Sequence, residues 1–193
     1  MQKIDSLIHE ISACRLCEEH LPLGVRPVLQ ISSVSKILIT GQAPGRKVHE
    51  SGVPFDDASG DRLRSWMGVS KAVFYNPKKI AILPMSFCYP GKGDNGDLPP
   101  RPECEKAWRK DLLEQLPDIE LTLVLGKYAQ SYHLDRTKKS VTEQVKSWKD
   151  YWPDRVPLPH PSPRNNIWLS KHPWFESELL PVLKKTVATI LEL

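Results

Sequence analysis

Three short apolar runs constrain this chain most: residues 36–40 (KILIT), 80–85 (IAILPM) and 121–125 (LTLVL). Each is too short for a stable helix and is rich in Ile, Leu and Val, with no polar alternation. Runs of this kind mark strands buried on both faces, and burial on both faces is the signature of a parallel sheet. A fourth run, 156–158 (VPL), is placed as a strand mainly by its position. Helical patterns fall between and after these runs. Residues 59–67 open on Ser59 and put Leu63, Trp66 and Met67 on one face. Residues 102–116 carry Pro102 at the start, then Trp108, Leu112, Leu113 and Leu116 at helical spacing. Segments 127–134, 141–148 and 175–191 complete the set, with Pro181 expected to kink or restart the last one.

Strands alternating with helices predict an α/β fold, a three-layer α/β/α sandwich with a central, mainly parallel four-stranded sheet. Residues 1–193 read as a single domain, without internal repeats or linkers. The 18 prolines against 10 glycines suggest shaped loops rather than disorder, because apolar runs recur throughout. No apolar stretch approaches the roughly 20 residues of a membrane helix. The opening MQKIDSLIHE has no signal-peptide core, so a cytoplasmic location is expected. A net charge of +4 is compatible with a polyanionic partner but is shared by many proteins that bind none.

In such folds the working residues gather in loops at the carboxyl ends of the strands. Here the runs lead into GQAPGR, SFCYPGKGDNG, GK and PHPSPRNN. Neither a G-x-x-x-x-G-K-[ST] nor a G-x-S-x-G motif is present, which argues against a P-loop enzyme or an α/β hydrolase. The cysteines are Cys14 and Cys17, as C-x-x-C, with Cys88 and Cys104 later. A disulfide framework is not expected in a cytosolic chain. Four thiolates suit a [4Fe–4S] cluster or a tetrahedral Zn²⁺, and spacing alone leaves both open, beside four unligated buried thiols.

GQAPG after the first strand, Gly52, Pro54-Phe55 and Gly60 in register behind it, and the late HPSP at 160–163 together resemble the uracil-DNA glycosylase superfamily. The likeness is greatest to its iron–sulfur, or fourth, family and runs from Cys14 to the HPSP loop. It implies a monofunctional DNA-repair enzyme that flips a damaged base out of DNA and hydrolyses its N-glycosidic bond; an ordinary monomer is the default expectation. Phe55 would stack on the base, and His160 would donate a hydrogen bond to the base oxygen that gains charge. Gly41, Gln42, Ala43 and Gly45 would shape the pocket, with Gln42 orienting a water. Ser162, Arg164, Asn165 and Asn166 would meet the DNA, with Lys92 and Arg101 as further phosphate contacts. Cys14, Cys17, Cys88 and Cys104 match the family's ligand positions, so the resemblance selects a structural [4Fe–4S] cluster over zinc.

Two departures stand out. The family's first motif carries a carboxylate, where this chain has Gln42 and Ala43. Glu50, Asp56 and Asp57 are the acids nearby to replace it, and each also reads as a surface acid or helix cap. The iron–sulfur enzymes read the edge of uracil with an Asn where this chain has Pro84, leaving Ser86 or backbone groups to take over. The expected substrate is therefore uracil or a related deaminated base such as hypoxanthine. The alternative is a DNA-binding member of the same fold with little or no glycosylase activity.

Overall fold

The computed structural model describes residues 2–94, 96–134 and 139–193. Its strands are β1 (Ile37–Thr40), β2 (Ile80–Ile82), β3 (Lys92–Gly93), β4 (Gly96–Asp97), β5 (Leu121–Leu125) and β6 (Arg155–Leu158). Its α-helices are α1 (Gln2–Ser12), α2 (Arg46–Ser51), α3 (Ala58–Met67), α4 (Lys71–Phe74), α5 (Pro102–Cys104), α6 (Lys110–Glu114), α7 (Gly126–His133), α8 (Val141–Lys146), α9 (Asn166–Lys171) and α10 (Leu180–Leu191). None of the helices among the described residues is long and apolar enough to cross a membrane.

The main sheet is parallel throughout, in the order β2-β1-β5-β6. Every residue of β1, β2 and β5 is buried, as the unbroken apolar runs require. Alternate side chains feed two cores. Ile37 and Ile39 pack with Leu63 and Met67 of α3 and with Leu183 and Val187 of α10. Leu38 and Ala81 meet Leu7 and Ile11 of α1 and Leu112 of α6 on the other face. Helices on both faces of one parallel sheet give the three-layer sandwich expected from the sequence.

β2 is shorter than its apolar run. Leu83, Met85 and Ser86 still donate their N–H groups to Ile39, Gly41 and Gln42. Pro84 has no N–H to give, so the regular ladder ends at Ile82 while the chain keeps tracking β1. The helix from Pro102 is continuous to Glu114 but widens into a π-helical turn over Glu105–Arg109. A similar turn at Phe175–Leu179 leads into α10, which restarts with Pro181 in its first turn.

Because β1 lies between β2 and β5, the chain leaves it toward opposite sides of the sheet. A crevice forms outside the carboxyl ends of the strands at such a switch point. The antiparallel pair β3–β4, with Lys92 opposite Asp97, contributes to the wall of this crevice.

Candidate functional site

The loop after β1 runs from Gly41 to Gly45 and forms one side of a pocket of about 320 Å³. Val28, Ile82 and Pro84 give it apolar lining, and Phe55, Asp57, Asp97, His160 and Arg164 bring chemistry to it. The volume is in the range of small-ligand sites.

Phe55 is held in an unusual backbone conformation, with φ of +54°. Left-handed geometry is disfavoured for a bulky residue, and the surroundings must impose it. The Phe55 carbonyl accepts hydrogen bonds from the Tyr75 hydroxyl (3.3 Å) and from Arg64 Nη1 (3.5 Å). Gly60 makes room for that carbonyl: a Cβ there would lie 1.8 Å from the Phe55 oxygen. The ring packs edge-to-face on Phe74, with centroids 6.2 Å apart, and its tip lies 3.9 Å from where a Cβ on Gly41 would sit. The family-like register of Gly41, Phe55 and Gly60 thus has a steric basis.

His160 follows β6 and Pro159. Its Nδ1 accepts the Ser162 N–H at 3.2 Å, and Asn165 Nδ2 donates to its carbonyl at 2.6 Å. Burial pushes the imidazole pKa below its ordinary value, against the opposing pull of the Asp57 and Asp97 carboxylates. With the ring neutral and Nδ1 accepting, the proton resides on Nε2 and is available as a donor. Arg62 of α3 braces the same loop, donating to Ser162 O (2.9 Å) and to Asn166 Oδ1 (2.7 Å). Asn165 Nδ2 and Asn166 Oδ1 thus help to hold the His160 loop. Ser162 Oγ accepts the Arg164 N–H at 3.3 Å. Arg164 itself lines the pocket with its guanidinium beside Gly96.

Gln42 lines the pocket, but its amide nitrogen is committed to backbone. Its Nε2 donates to the carbonyls of Leu98 (2.8 Å) and Asp97 (3.4 Å), fastening the loop after β1 to the β3–β4 segment. Among the described residues, no hydrogen-bond acceptor engages the N–H groups of Gln42 or Ala43. Of the three acids considered from the sequence, only Asp57 lines the pocket. Glu50 pairs with Arg46 at 2.8 Å on the surface, and Asp56 is exposed. Asp57 also caps α3, accepting the Gly60 N–H at 3.0 Å. Asp97 was not anticipated. It reaches the pocket from a short, polar, glycine-flanked segment with no periodicity to mark it.

The cysteines converge elsewhere. Cys14, Cys17, Cys88 and Cys104 all line one cavity of about 20 Å³, with Ile11, Leu21 and Trp108 in its walls. All four are free thiols. Burial pushes Cys88 up to about 11 and Cys104 up to about 12, and repulsion among the cysteines adds to this. Among the described residues, no group of three or more His, Cys, Asp or Glu side chains is gathered to hold a metal ion. Ser86 lies on this cavity rather than in the pocket, with its Oγ buried and unpartnered. Arg101 also borders the cavity and is bound to Glu103, whereas Lys92 is exposed.

A pocket at the switch point of a parallel sheet, lined by an aromatic ring, a buried histidine and two carboxylates, defines an α/β domain with a small-ligand site. The chain belongs to the uracil DNA glycosylase superfamily, whose family model matches residues 30–184. It is also similar to a protein from Methanosarcina acetivorans, solved by solution NMR and described as a putative uracil DNA glycosylase. The two are 16% identical with a TM-score of 0.49, over 82% of this chain and 97% of that one. The family assignment rests on the first match alone.

Proposed function

We propose that this protein is a monofunctional DNA glycosylase of the iron–sulfur type, which draws a deaminated base out of DNA and hydrolyses its N-glycosidic bond. The observation that carries this reading is His160, a neutral imidazole with Nε2–H left to donate, in the same pocket as the Phe55 ring. The ring offers a stacking face to a flipped base. The Nε2–H, with the N–H groups of Gln42 and Ala43, stabilises the negative charge that builds on the departing base. The His160 donor sits on a loop braced by Arg62, and the Gln42 side chain fastens the loop after β1 to the β3–β4 segment, so little reorganisation is needed when the charge develops. Arg164 is placed to meet a phosphate.

Base choice rests on shape more than on an amide. Pro84 lines the pocket where the resembling enzymes carry Asn, and its carbonyl is already taken by Arg109 at 3.0 Å. Uracil and hypoxanthine are both expected to be released. A panel of uracil-, hypoxanthine- and xanthine-containing oligonucleotides, single- and double-stranded, tests this by chromatography of the free base. No release from any of them sinks the proposal. One observation favours a second reading, a DNA-binding member without turnover: the residue in the carboxylate position is Gln42, and its amide is tied to backbone. That reading predicts salt-dependent DNA binding with no base released.

Cys14, Cys17, Cys88 and Cys104 would hold a [4Fe–4S] cluster. Its contribution is structural, clipping the segment after α1 to α5 and to the loop after β2. The shared cavity and the free state of all four thiols support this. The raised thiol pKa values mean that a cationic centre is needed to hold them as thiolates. Anaerobically purified protein is expected to be brown, with about four irons and four acid-labile sulfides per chain. Colourless, iron-free protein with intact thiols counts against the cluster.

A further inference from the structure

The carboxylate missing from the loop after β1 has a counterpart on a different element. Asp97 ends β4 and lines the pocket. Its Oδ2 lies 3.5 Å from where a Cβ on Gly45 would sit, so the carboxylate rests directly against that loop. Gln42 makes this placement: its amide holds the carbonyls of Asp97 and Leu98. The residue that stands where a carboxylate is expected thus positions the segment that carries one.

The two acids in the pocket are not equivalent. Asp57 accepts the Gly60 N–H at the start of α3, and a carboxylate used as a helix cap is a poor base. Among the described residues, burial and neighbouring charges act on the Asp97 carboxylate, with no hydrogen bond among their number. Burial raises its pKa above the ordinary carboxylate value, while Arg164, His160 and Lys92 pull it down and Asp57 pushes it up. Tyr89 also faces it from the chain ahead of β3.

We propose that Asp97 is the catalytic carboxylate of this site, acting as the base for the attacking water; this rests on the glycosylase reading above. The C1′–N bond breaks and its electron pair leaves with the base, opposite the His160 donor. The water oxygen bonds to C1′ and its proton passes to Asp97. Asp97 then returns that proton to solvent, from which the departing base anion takes one. One water is consumed, giving an abasic site and a free base.

The test is base release under single-turnover conditions by wild type, Asp97→Asn and Asp97→Glu, with melting temperature measured on each. Asp97→Asn is expected to lose about 10²-fold in rate at the low end of general-base effects. Its melting temperature and substrate affinity should hold, and the acid limb of the pH–rate profile should disappear. Asp97→Glu is expected to recover part of the rate. Asp97→Asn within twofold of wild type, with the acid limb intact, overturns this assignment and leaves the glycosylase reading standing. Wild type that releases no base overturns both.

Discussion

Replacing His160 with alanine is expected to slow base release by about 10²–10³-fold, the cost of losing one preorganised donor to a developing anion. The donor exists in only one tautomer of the ring. Ser162 N–H occupies Nδ1, so Nε2 must carry the proton of the neutral ring. Burial keeps the ring neutral, and the donor is therefore present at neutral pH without a charged imidazolium in the pocket. The loss should fall on kcat, because the hydrogen bond strengthens only as the base acquires charge. His160→Gln, which can still offer an N–H, should lose less than His160→Ala. Single-turnover rates with uracil- and hypoxanthine-containing DNA measure this directly. Equal rates for wild type and His160→Ala would remove the histidine from the chemistry.

The parts of this site that were legible in the sequence are those whose cause is local. β1 and β5 could be read because burial on both faces leaves no room for polar residues. The register of Gly41, Phe55 and Gly60 could be read from motif spacing, and steric contact explains it. Tertiary placement was not legible. Nothing in the sequence around Asp97 shows that Gln42 fastens it beside Gly45. Ser86 is close in sequence to Pro84, yet the two line different cavities. The sequence offers Asn165 and Asn166 as DNA contacts; that Asn165 also donates to His160 O and Asn166 also accepts from Arg62 appears only once the loop is folded. Arg109 did leave a signal. It shares a helical stripe with Leu112, Leu113 and Leu116, so the apolar face of the predicted helix contained a charge.

That charge leads to the largest expected loss of stability. Arg109 is only 1% exposed, and its partners are two carbonyls, a hydroxyl and an imidazole. Nη1 donates to Leu83 O (3.1 Å) and Pro84 O (3.0 Å), while Nη2 donates to Thr40 Oγ1 and His133 Nε2. One side chain thus ties the exit of β2, the end of β1 and α7 together beneath the pocket. Arg109→Ala removes every donor and leaves a cavity, at a cost of about 3–5 kcal/mol by analogy with broken buried ion pairs. For a chain of this size the melting temperature should fall on the order of 10 °C. Arg109→Met fills the space and avoids burying a charge, but leaves the carbonyls unpaired, so its loss should be smaller yet measurable. His133 gives a second readout. Burial, then the charges of Arg109 and Arg155, hold its pKa down to about 3, far below its ordinary value. The native state therefore refuses a proton that the unfolded chain accepts as pH falls below about 6.5. The stability due to a neutral His133 is complete above that pH and is lost progressively down to about pH 3. Urea unfolding of wild type and His133→Gln across this window isolates the effect from the carboxylates, since only the wild-type curve should carry the extra slope. Parallel curves would mean that His133 titrates normally. Arg109→Met should flatten the wild-type slope in part, because burial remains as the larger cause after the neighbouring charge is gone.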